Sequence, residues 1–448
     1  MRRRPAEQLT GNRKWHLNPP QILALGFIAI IIIGAMLLKL PIATKTPISW
    51  LNAFFTATSA ITVTCSMVVD PLQTFTRFGQ IIILILIQIG GLGIMTFAIF
   101  VFLIMGKRIS FKQRLLVQNA LNQSTFGGII RLVKNLLIVA LSFEAAAAFL
   151  LTLYWGPTMG WGKAVYYSIF YSISAFNDAG FSLWSDSLAR WAGDPVVNIL
   201  ISALVIIGGL GFTVLINLWD SRRLKDLTLH TKFMLIGTLA LNVFAFIMIF
   251  LLEFHNPATL GNLPFGTKLW AAFFQAISAR TAGFSTVDIS GMHEATLFLI
   301  VILMYIGAGS TSAGGGIKVT TFIVLILSVV KILRGKEEAV AFGRTIKDSI
   351  FMRAFAVVVV SLTFIFIGVF ILSLTEQASF FEVVFEVVAS FSTTGFSLGL
   401  AQNLSVTGRI VVMCLMFIGK LGPLTLVFSL AKPEVKKIRY PEGKIFIG

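Results

Sequence analysis

Long apolar runs alternate with short polar segments along the whole chain, and the length of the runs indicates the class of protein. Crossing the roughly 30 Å hydrocarbon core of a bilayer takes about 20 helical residues. Runs of this order occupy residues 22–38, 78–106, 135–155, 196–218, 233–252, 295–330, 354–374 and 410–430. The pattern predicts an all-α integral membrane protein with eight transmembrane helices.

Between the two runs of each pair lies a shorter, partly apolar segment of about 10 to 14 residues, the size expected for a re-entrant element. The four segments end in related sequences: "FFTATSAITVTCS", "IFYSISAFNDAGFS", "FFQAISARTAGFS" and "FEVVASFSTTGFS". A second motif follows each of them: "GGLGIMT", "GGLGFTV", "GAGSTSA" and "GKLGPLT". Two motifs that recur four times, about 110 residues apart, indicate a fourfold internal repeat.

This repeat predicts four parallel pseudo-repeats around a central ion path, each made of a helix, a re-entrant pore helix with its loop, and a second helix. The predicted units are a cytoplasmic tail at 1–19, repeats at 20–115, 116–225, 226–335 and 336–432, and a cytoplasmic tail at 433–448.

Composition and charge agree with a membrane location. Of the 448 residues, 56% are hydrophobic and 12% are charged, and the mean hydropathy is +0.89. The formal charge of +17 comes from basic clusters at the N-terminus and after every second run. By the positive-inside rule these clusters and both termini are cytoplasmic, in a multi-pass protein of the cell membrane. The basic residues therefore set topology in a lipid bilayer and do not indicate a nucleic-acid partner.

The four segment endings carry the chemistry of an ion filter. A monovalent cation in a low-dielectric passage must replace its water shell, and backbone carbonyls can do so without adding net charge. Glycine allows the backbone angles that such a strand requires. The predicted filter residues, with K⁺ at their carbonyls, are Val63, Thr64, Cys65, Asn177, Asp178, Ala179, Gly180, Thr281, Ala282, Gly283, Thr393, Thr394 and Gly395. The alternative is that the glycines only serve helix contacts.

The run 295–330 is too long for one ordinary span, because a straight helix of that length would measure about 54 Å. We predict that it breaks at a loop that gates the path from below the filter, where water can satisfy its backbone. The predicted gate residues are Gly307, Ala308, Gly309, Ser310, Thr311, Ser312, Ala313, Gly314, Gly315 and Gly316. A passive kink is the alternative.

Charged residues within or near the spans are further candidates. Lys420 lies near the middle of the last run and is predicted to form an electrostatic barrier below the filter, the alternative being a buried structural pair. Asp70, Asp186 and Asp288 each follow a filter segment and could focus cations at the outer mouth, or serve as caps and loop residues. Glu144 is expected to have a structural partner. The flanking residues Asp178, Arg280 and Glu386 are expected to brace the filter through ion pairs.

The motifs "NDAGFS", "RTAGFS", "STTGFS", "GAGSTSAGG" and "GKLGPLT" resemble those of the Trk/Ktr/HKT superfamily of potassium and sodium translocators, and most closely its bacterial Ktr-type membrane subunits. The resemblance covers nearly the whole chain. It implies four helix, pore-loop, helix repeats around one ion path, a homodimer, and a cytosolic nucleotide-binding regulatory ring (KtrA-like) as partner. Two positions depart from the family pattern, since Cys65 stands where glycine is usual and Lys420 where arginine is common.

Together these observations predict the membrane subunit of a potassium uptake system that conducts K⁺ down its electrochemical gradient. No covalent cofactor is expected, and no catalytic triad, metal cluster or phosphate-binding loop indicates an enzyme. Because some relatives without glycine in the first segment favour sodium, the first alternative is a Na⁺-selective or Na⁺-coupled carrier. A proton-coupled transporter of organic solutes is the second, although only Glu144 and Lys420 lie well inside the spans.

Overall fold

The computed structural model describes residues 19–93, 129–221 and 223–422. Four sets of predictions therefore lie outside the described residues: those for the tail up to residue 18, the second run beyond residue 93 with its basic cluster, the last run beyond residue 422, and the C-terminal tail. Within the described ranges the chain is mostly helical, in agreement with the predicted class.

In chain order the helices and strands are α1 (Pro19–Lys39), α2 (Trp50–Thr62), α3 (Pro71–Thr74), α4 (Arg77–Leu92), α5 (Ile129–Met159), α6 (Trp161–Phe176), α7 (Pro195–Leu210), α8 (Phe212–Asp220), α9 (Leu229–Glu253), α10 (Phe265–Thr281), α11 (Glu294–Ile306), α12 (Val319–Leu333), β1 (Ala339–Ala341), β2 (Arg344–Ile346), α13 (Asp348–Thr375), α14 (Phe380–Phe391), α15 (Leu400–Asn403) and α16 (Val406–Leu421). Short 3₁₀ turns occur at Ala189–Trp191 and Leu224–Asp226.

Four of the described helices, α1, α5, α9 and α13, are by themselves long and apolar enough to cross a membrane. Much of their surface is exposed and apolar, as at Phe366 and Phe370 of α13. Such a surface is stable against lipid and not against water. These helices therefore form the outside of the molecule.

After each long helix comes a shorter, more deeply buried one: α2, α6, α10 or α14. Polar caps fix where two of them begin. The hydroxyl of Ser49 accepts from the backbone of Asn52 at the start of α2, and Ser379 forms a capping box with Glu382 at the start of α14. Capping satisfies backbone N–H groups that a buried helix end would otherwise leave unpaired.

The helices that follow, α4, α7, α11 and α16, each end at a glycine with positive φ: Gly93 (83°), Gly211 (92°), Gly307 (65°) and Gly422 (83°). This conformation ends a right-handed helix and costs a residue with a side chain more than it costs glycine. At Gly211 the chain turns by 94° from α7 into α8. The apolar run 196–218 is therefore not the single straight helix that its hydropathy suggests.

Close packing explains, for three of the four repeats, why the second repeated motif begins with glycine. A Cβ on Gly90 would lie 1.9 Å from the carbonyl oxygen of Ile61, and the corresponding distance is 1.8 Å from Gly208 to Phe176 and from Gly419 to Phe391. Backbone thus packs directly on backbone where the short helix of the same unit ends. Any larger residue would push the short helix, and the segment after it, out of place.

One element departs from an all-α chain. Strands β1 and β2 form an antiparallel hairpin that pairs Ala339 with Ile346. Its two turn residues, Phe342 and Gly343, both have positive φ, as a type I′ turn requires.

Candidate ion pathway

The four predicted filter segments meet as a ring. A Cβ built on Gly180 would lie 2.3 Å from the carbonyl oxygen of Ala282, one on Gly283 would lie 2.2 Å from that of Thr394, and one on Gly395 would lie 1.6 Å from that of Thr64. Each glycine therefore abuts the next repeat, in the order second, third, fourth, first. At three of the four corners a side chain would displace a neighbouring carbonyl.

The backbone of the segments alternates in handedness. Positive φ occurs at Val63, Asp178 and Thr393, and again two residues later at Cys65 (62°), Gly180 (65°) and Gly395 (73°). The third repeat has positive φ only at Gly283 (71°), since Thr281 still belongs to α10. Alternation between left- and right-handed residues turns successive peptide groups towards the same side of the strand. This is the arrangement that a carbonyl-lined filter needs.

Hydrogen bonds tie each segment to its own short helix. The backbone N–H of Thr64 donates to the carbonyl of Ser59 (2.9 Å), that of Ala179 to Ser174 (2.8 Å) and that of Thr394 to Ala389 (2.9 Å). Because each helix ends by passing directly into its segment, the position of the helix sets the position of the carbonyls.

Cys65 projects into the ring. Its Sγ lies 2.6 Å from the position of a Cβ on Gly180 and donates to the carbonyl oxygen of Gly283 at 3.8 Å. Gly283 belongs to the third repeat, which lies across the ring from the first. The thiol therefore extends over the space that the three glycines leave open.

A vestibule of about 420 Å³ lies on the side of the ring formed by Cys65 and the three glycines. Serine hydroxyls line much of its wall: Ser182, Ser185, Ser187, Ser285, Ser290 and Ser397. Of the three aspartates predicted near the mouth, Asp288 lines the vestibule. Asp186 forms an ion pair with Arg190 at 2.7 Å, and Asp70 caps α3 by accepting from Leu72 and Gln73.

Two buried glutamates support the segments. Glu386 accepts hydrogen bonds from Ser66 (3.4 Å), the residue after the first segment, and from Ser397 (2.7 Å), two residues after the fourth. Glu144 of α5 accepts from Gln88 of α4 (3.0 and 3.2 Å) and from Asn177 of the second segment (3.2 Å).

The expectation that Glu386 and Arg280 brace the filter through ion pairs is wrong for the described residues. The partners of Glu386 are hydroxyls. Arg280 donates to Asn242 (2.8 Å) and to the carbonyl of Gly307 (3.1 Å). The sequence analysis gave no role to Gln88, nor to Ser66 and Ser397, which close the first and fourth quoted endings, because a polar residue carries no signal of what it faces.

On the opposite side of the filter the chain leaves the helix at Ile306 and resumes it at Val319. Three cationic side chains hold the intervening loop. Lys420 donates to the carbonyl of Ala313 (2.6 Å), Arg280 to that of Gly307 (3.1 Å), and Lys318 to that of Gly314.

Neutral contacts add to these. The N–H of Gly309 donates to the carbonyl of Gly209 (2.8 Å). The N–H of Gly315 donates to the hydroxyl of Thr393 (2.7 Å), a filter residue. Ser310 bonds to Thr320 (2.9 Å). Thr311 bonds to Thr213 (3.0 Å), and Ser312 donates to the carbonyl of Gly309 (2.7 Å).

Lys318 was not predicted. Its φ of 78° and ψ of 137° match those of Gly93, Gly211 and Gly422. In sequence, "GGIK" ending at Lys318 corresponds to "GGLG" ending at Gly93. The loop is therefore an insertion before the shared elbow of the repeats, and a lysine occupies the position that is glycine in the others.

The side chain of Asp178 lies between the filter and the loop, near Gly209. It is fully buried, and neither carboxylate oxygen has a hydrogen-bond partner of normal geometry among the described residues. It lies in the field of Arg280, Lys420 and Lys318. Among the described residues there is no group of three or more His, Cys, Asp or Glu side chains that could hold a metal ion.

The chain is similar in sequence and in fold to known cation transport proteins. The family model described as "Cation transport protein" (TrkH) matches residues 18–439. The chain is 52% identical to Ktr system potassium uptake protein B of Bacillus subtilis over 97% of this chain and 98% of that protein. It is 37% identical to the potassium/sodium uptake protein NtpJ of Enterococcus hirae over 96% and 98%. The crystal structure of the potassium transporter TrkH from Vibrio parahaemolyticus has the same fold, with a TM-score of 0.74 at 20% identity over 96% of this chain and 87% of that one.

Proposed function

The chain belongs to the TrkH family of cation transport proteins, and from this premise we propose that it is the ion-translocating membrane subunit of a potassium uptake system. Two relatives that the chain matches over almost their whole length are named as potassium uptake proteins. Membership of a transport family also agrees with the expectation that the chain is not an enzyme.

The observation that carries the proposal is the ring of four segments. A K⁺ ion that enters from the vestibule exchanges its water for carbonyl oxygens from all four repeats and passes down its electrochemical gradient. No proton transfer or covalent step is needed. In this proposal the filter residues are those predicted from the sequence, and Cys65 and the three glycines make the closest contacts between repeats.

In the membrane, the four units correspond to the repeats 20–115, 116–225, 226–335 and 336–432, with eight spans and both termini in the cytoplasm. The long helices α1, α5, α9 and α13 are the first span of each unit. The second spans contain α4, α7 with α8, α11 with α12, and α16; the breaks at Gly211 and at the loop after Gly307 explain why α7 and α11 are not long enough alone, and the remainder of the first and fourth of these spans lies outside the described residues. The vestibule then faces outward and the loop inward.

The loop 307–316 is the gate, and Lys420 is both its tether and an electrostatic barrier. A cation leaving the filter meets the buried loop and the ammonium group of Lys420. Asp178 offsets part of the positive charge gathered there. Opening requires the loop to leave, which breaks the side-chain bonds of Lys420 and Arg280 together with backbone bonds such as that between Gly309 and Gly209.

The working assembly is a homodimer bound to a cytosolic nucleotide-binding ring of the KtrA type. The name of the relatives, which describes one protein of a Ktr system, supports a partner protein, whereas the homodimer and the nature of the ring rest on the family resemblance alone. Ligand binding to the ring would act on the gate through the cytoplasmic ends of the helices.

A Na⁺-selective or Na⁺-coupled carrier is the second candidate, and Cys65 favours it. The thiol narrows the ring at its vestibule end, which disfavours the larger K⁺ ion. The Cys65→Gly variant is then expected to raise the ratio of Rb⁺ to Na⁺ uptake, by about tenfold if the thiol alone restricts the ring.

Purified protein in liposomes separates the candidates. We expect uptake of Rb⁺ that increases with an inside-negative voltage, because charge moves without compensation. Uptake of Na⁺ alone, or Rb⁺ uptake that requires Na⁺, would establish the carrier. Absence of any cation uptake would refute the proposed function.

A further inference from the structure

Two carboxylates lie against the filter without a basic partner. Glu144 on α5 is 4% exposed and Glu386 on α14 is 1% exposed. The ion pairs formed by the described residues join Arg190 to Asp186 and Lys331 to Asp348, so neither glutamate takes part in one. Neither has a role in the path proposed above.

The hydrogen-bond donors to Glu144 are all neutral amides. Gln88 donates to both of its oxygens, and Asn177 donates to Oε1 while belonging to the second filter segment. The oxygen Oδ1 of Asn177 is itself buried without a partner.

Glu386, which lies nearer the vestibule, is likewise hydrogen-bonded only by neutral donors among the described residues. Its donors are the hydroxyls of Ser66 and Ser397, and it forms no ion pair with any described residue. Arg409 on the adjacent α16 donates to Asn52 instead. The two carboxylates thus stand one towards each end of the filter.

The cationic side chains near the filter have partners of their own. Arg280, Lys318 and Lys420 donate to the loop carbonyls of Gly307, Gly314 and Ala313. The hydroxyl of Tyr171 bonds to Ser182. None of these groups faces Glu144 or Glu386.

A buried carboxylate without a cation must either bind a proton or be balanced from elsewhere. The place where positive charge arrives is the filter itself. We propose that Glu144 and Glu386 are off-axis counter-charges of the transported cation, ionised when the filter is occupied and protonated when it is empty. On cation entry the carboxyl O–H bond breaks and the proton leaves to solution, so that net charge is conserved. This inference rests on the proposed function.

Reciprocity between the two ligands fixes the sign of the effect. If a bound cation favours loss of the proton, then protonation weakens cation binding by the same factor. The apparent affinity for the cation must therefore fall as pH falls. At an effective dielectric constant of about 20, one buried charge several ångströms from the ion changes binding by roughly tenfold or more.

The test uses the full chain in liposomes, with half-saturation for Rb⁺ uptake measured at pH 6, 7 and 8. We expect the wild-type half-saturating concentration to rise about tenfold from pH 8 to pH 6. Glu144→Gln should already have the raised value at pH 8 and a weaker pH dependence. The double variant Glu144→Gln/Glu386→Gln should show no dependence.

Glu253→Gln is the matched control. Glu253 is a fully buried glutamate on α9 with donors from Asn256, Thr259, His293 and Thr296, and it contacts no filter residue. Its substitution should leave both half-saturation and pH dependence as in the wild type. An equal effect of Glu253→Gln would show general destabilisation and overturn the inference.

If the variants do not fold, the inference can still be tested on the wild-type protein alone. Rb⁺ should raise its melting temperature at lower concentrations at pH 8 than at pH 6, as mass action requires for tighter binding to the native state. Rb⁺ uptake and stabilisation that are both independent of pH would overturn the inference while leaving the proposed function intact. Loss of all cation uptake would remove both.

Discussion

The filter segments and the intramembrane loop are both irregular backbone enclosed by helices, yet they are held in different ways. The filter is held by backbone on backbone, with N–H groups tied to their own short helices and glycines abutting carbonyls of the next repeat. The loop also has backbone contacts, such as the bond from the N–H of Gly309 to the carbonyl of Gly209, but three cationic side chains, Lys420, Arg280 and Lys318, bind its carbonyls in addition. Side-chain bonds of this kind can be released one at a time, whereas the close backbone contacts between the filter segments cannot. This difference agrees with the proposal that selectivity and gating have separate physical bases.

The largest effect is expected from breaking the filter at Gly395. In Gly395→Ala the new methyl group would lie 1.6 Å from the carbonyl oxygen of Thr64, and the φ of 73° adds strain. Relieving this overlap must move the ring, so Rb⁺ uptake should fall by about 100-fold or more. The measurement is the initial rate of uptake into liposomes.

Gly343→Ala is the matched control for strain alone. Gly343 has a nearly equal φ of 72°, in the hairpin, with open space where its Cβ would be. Uptake within about twofold of the wild type is expected, because strain at a hairpin turn does not reach the filter. If both variants lost uptake equally, steric fixation of the filter would be contradicted.

The next effect should come from removing the loop. Deletion of residues 308–314 removes the carbonyls that Lys420 and Lys318 bind, while the filter contacts among the four segments remain. We expect Rb⁺ uptake to rise about tenfold without change in the Rb⁺ to Na⁺ ratio, and control by the cytosolic ring to weaken. A deletion protein that elutes as a single folded species with wild-type uptake would show that the loop is not a gate.

The difference between the two regions also explains how much the sequence could predict. The proposed filter was located because four related endings repeat, three of them centred on glycine and the first on Cys65, and backbone chemistry depends on spacing more than on side chains. The break in 295–330 followed from length and glycine content. What holds the loop did not follow, since the partner of Lys318 or Lys420 depends on how distant segments pack. The bend at Gly211 escaped notice because hydropathy does not register a positive φ.

The same reasoning applies to the supporting network. Glu144 and Asn177 are 33 positions apart, and Gln88 reaches them from another repeat. Such contacts arise only after helices of different units have packed. A hydropathy pattern marks Glu144 as unusual in a span without indicating that it touches the filter.

A smaller increase is expected from releasing a single tether. Lys420→Gln removes the charge that faces the exit of the filter and weakens the bond to Ala313, whereas Arg280 and Lys318 still hold the loop. Uptake of Rb⁺ should rise about threefold, less than for the deletion. Lys420→Arg keeps both charge and donors and should remain near wild-type uptake. An unchanged rate in Lys420→Gln with normal abundance would assign this lysine a structural role only.

The smallest effect is expected in the vestibule, where a solvent-exposed charge acts on the cation at a distance. Asp288 is exposed and lines the vestibule, and among the described residues it accepts hydrogen bonds from Ser290 alone, so its charge can attract cations through solvent. Asp288→Asn should lower Rb⁺ uptake at subsaturating concentration by about twofold at low ionic strength, and by less in 0.15 M salt, because screening reduces the field over about 8 Å.

The matched control removes a charge pair from the same mouth. Asp186→Asn/Arg190→Gln eliminates the ion pair without changing net charge, so the long-range field on the cation stays nearly the same and uptake should not change. A salt-independent loss in Asp288→Asn would mean that this residue acts through the fold of the vestibule. A salt-dependent loss would instead show that attraction at the mouth adds to a filter whose selectivity is already fixed by its backbone.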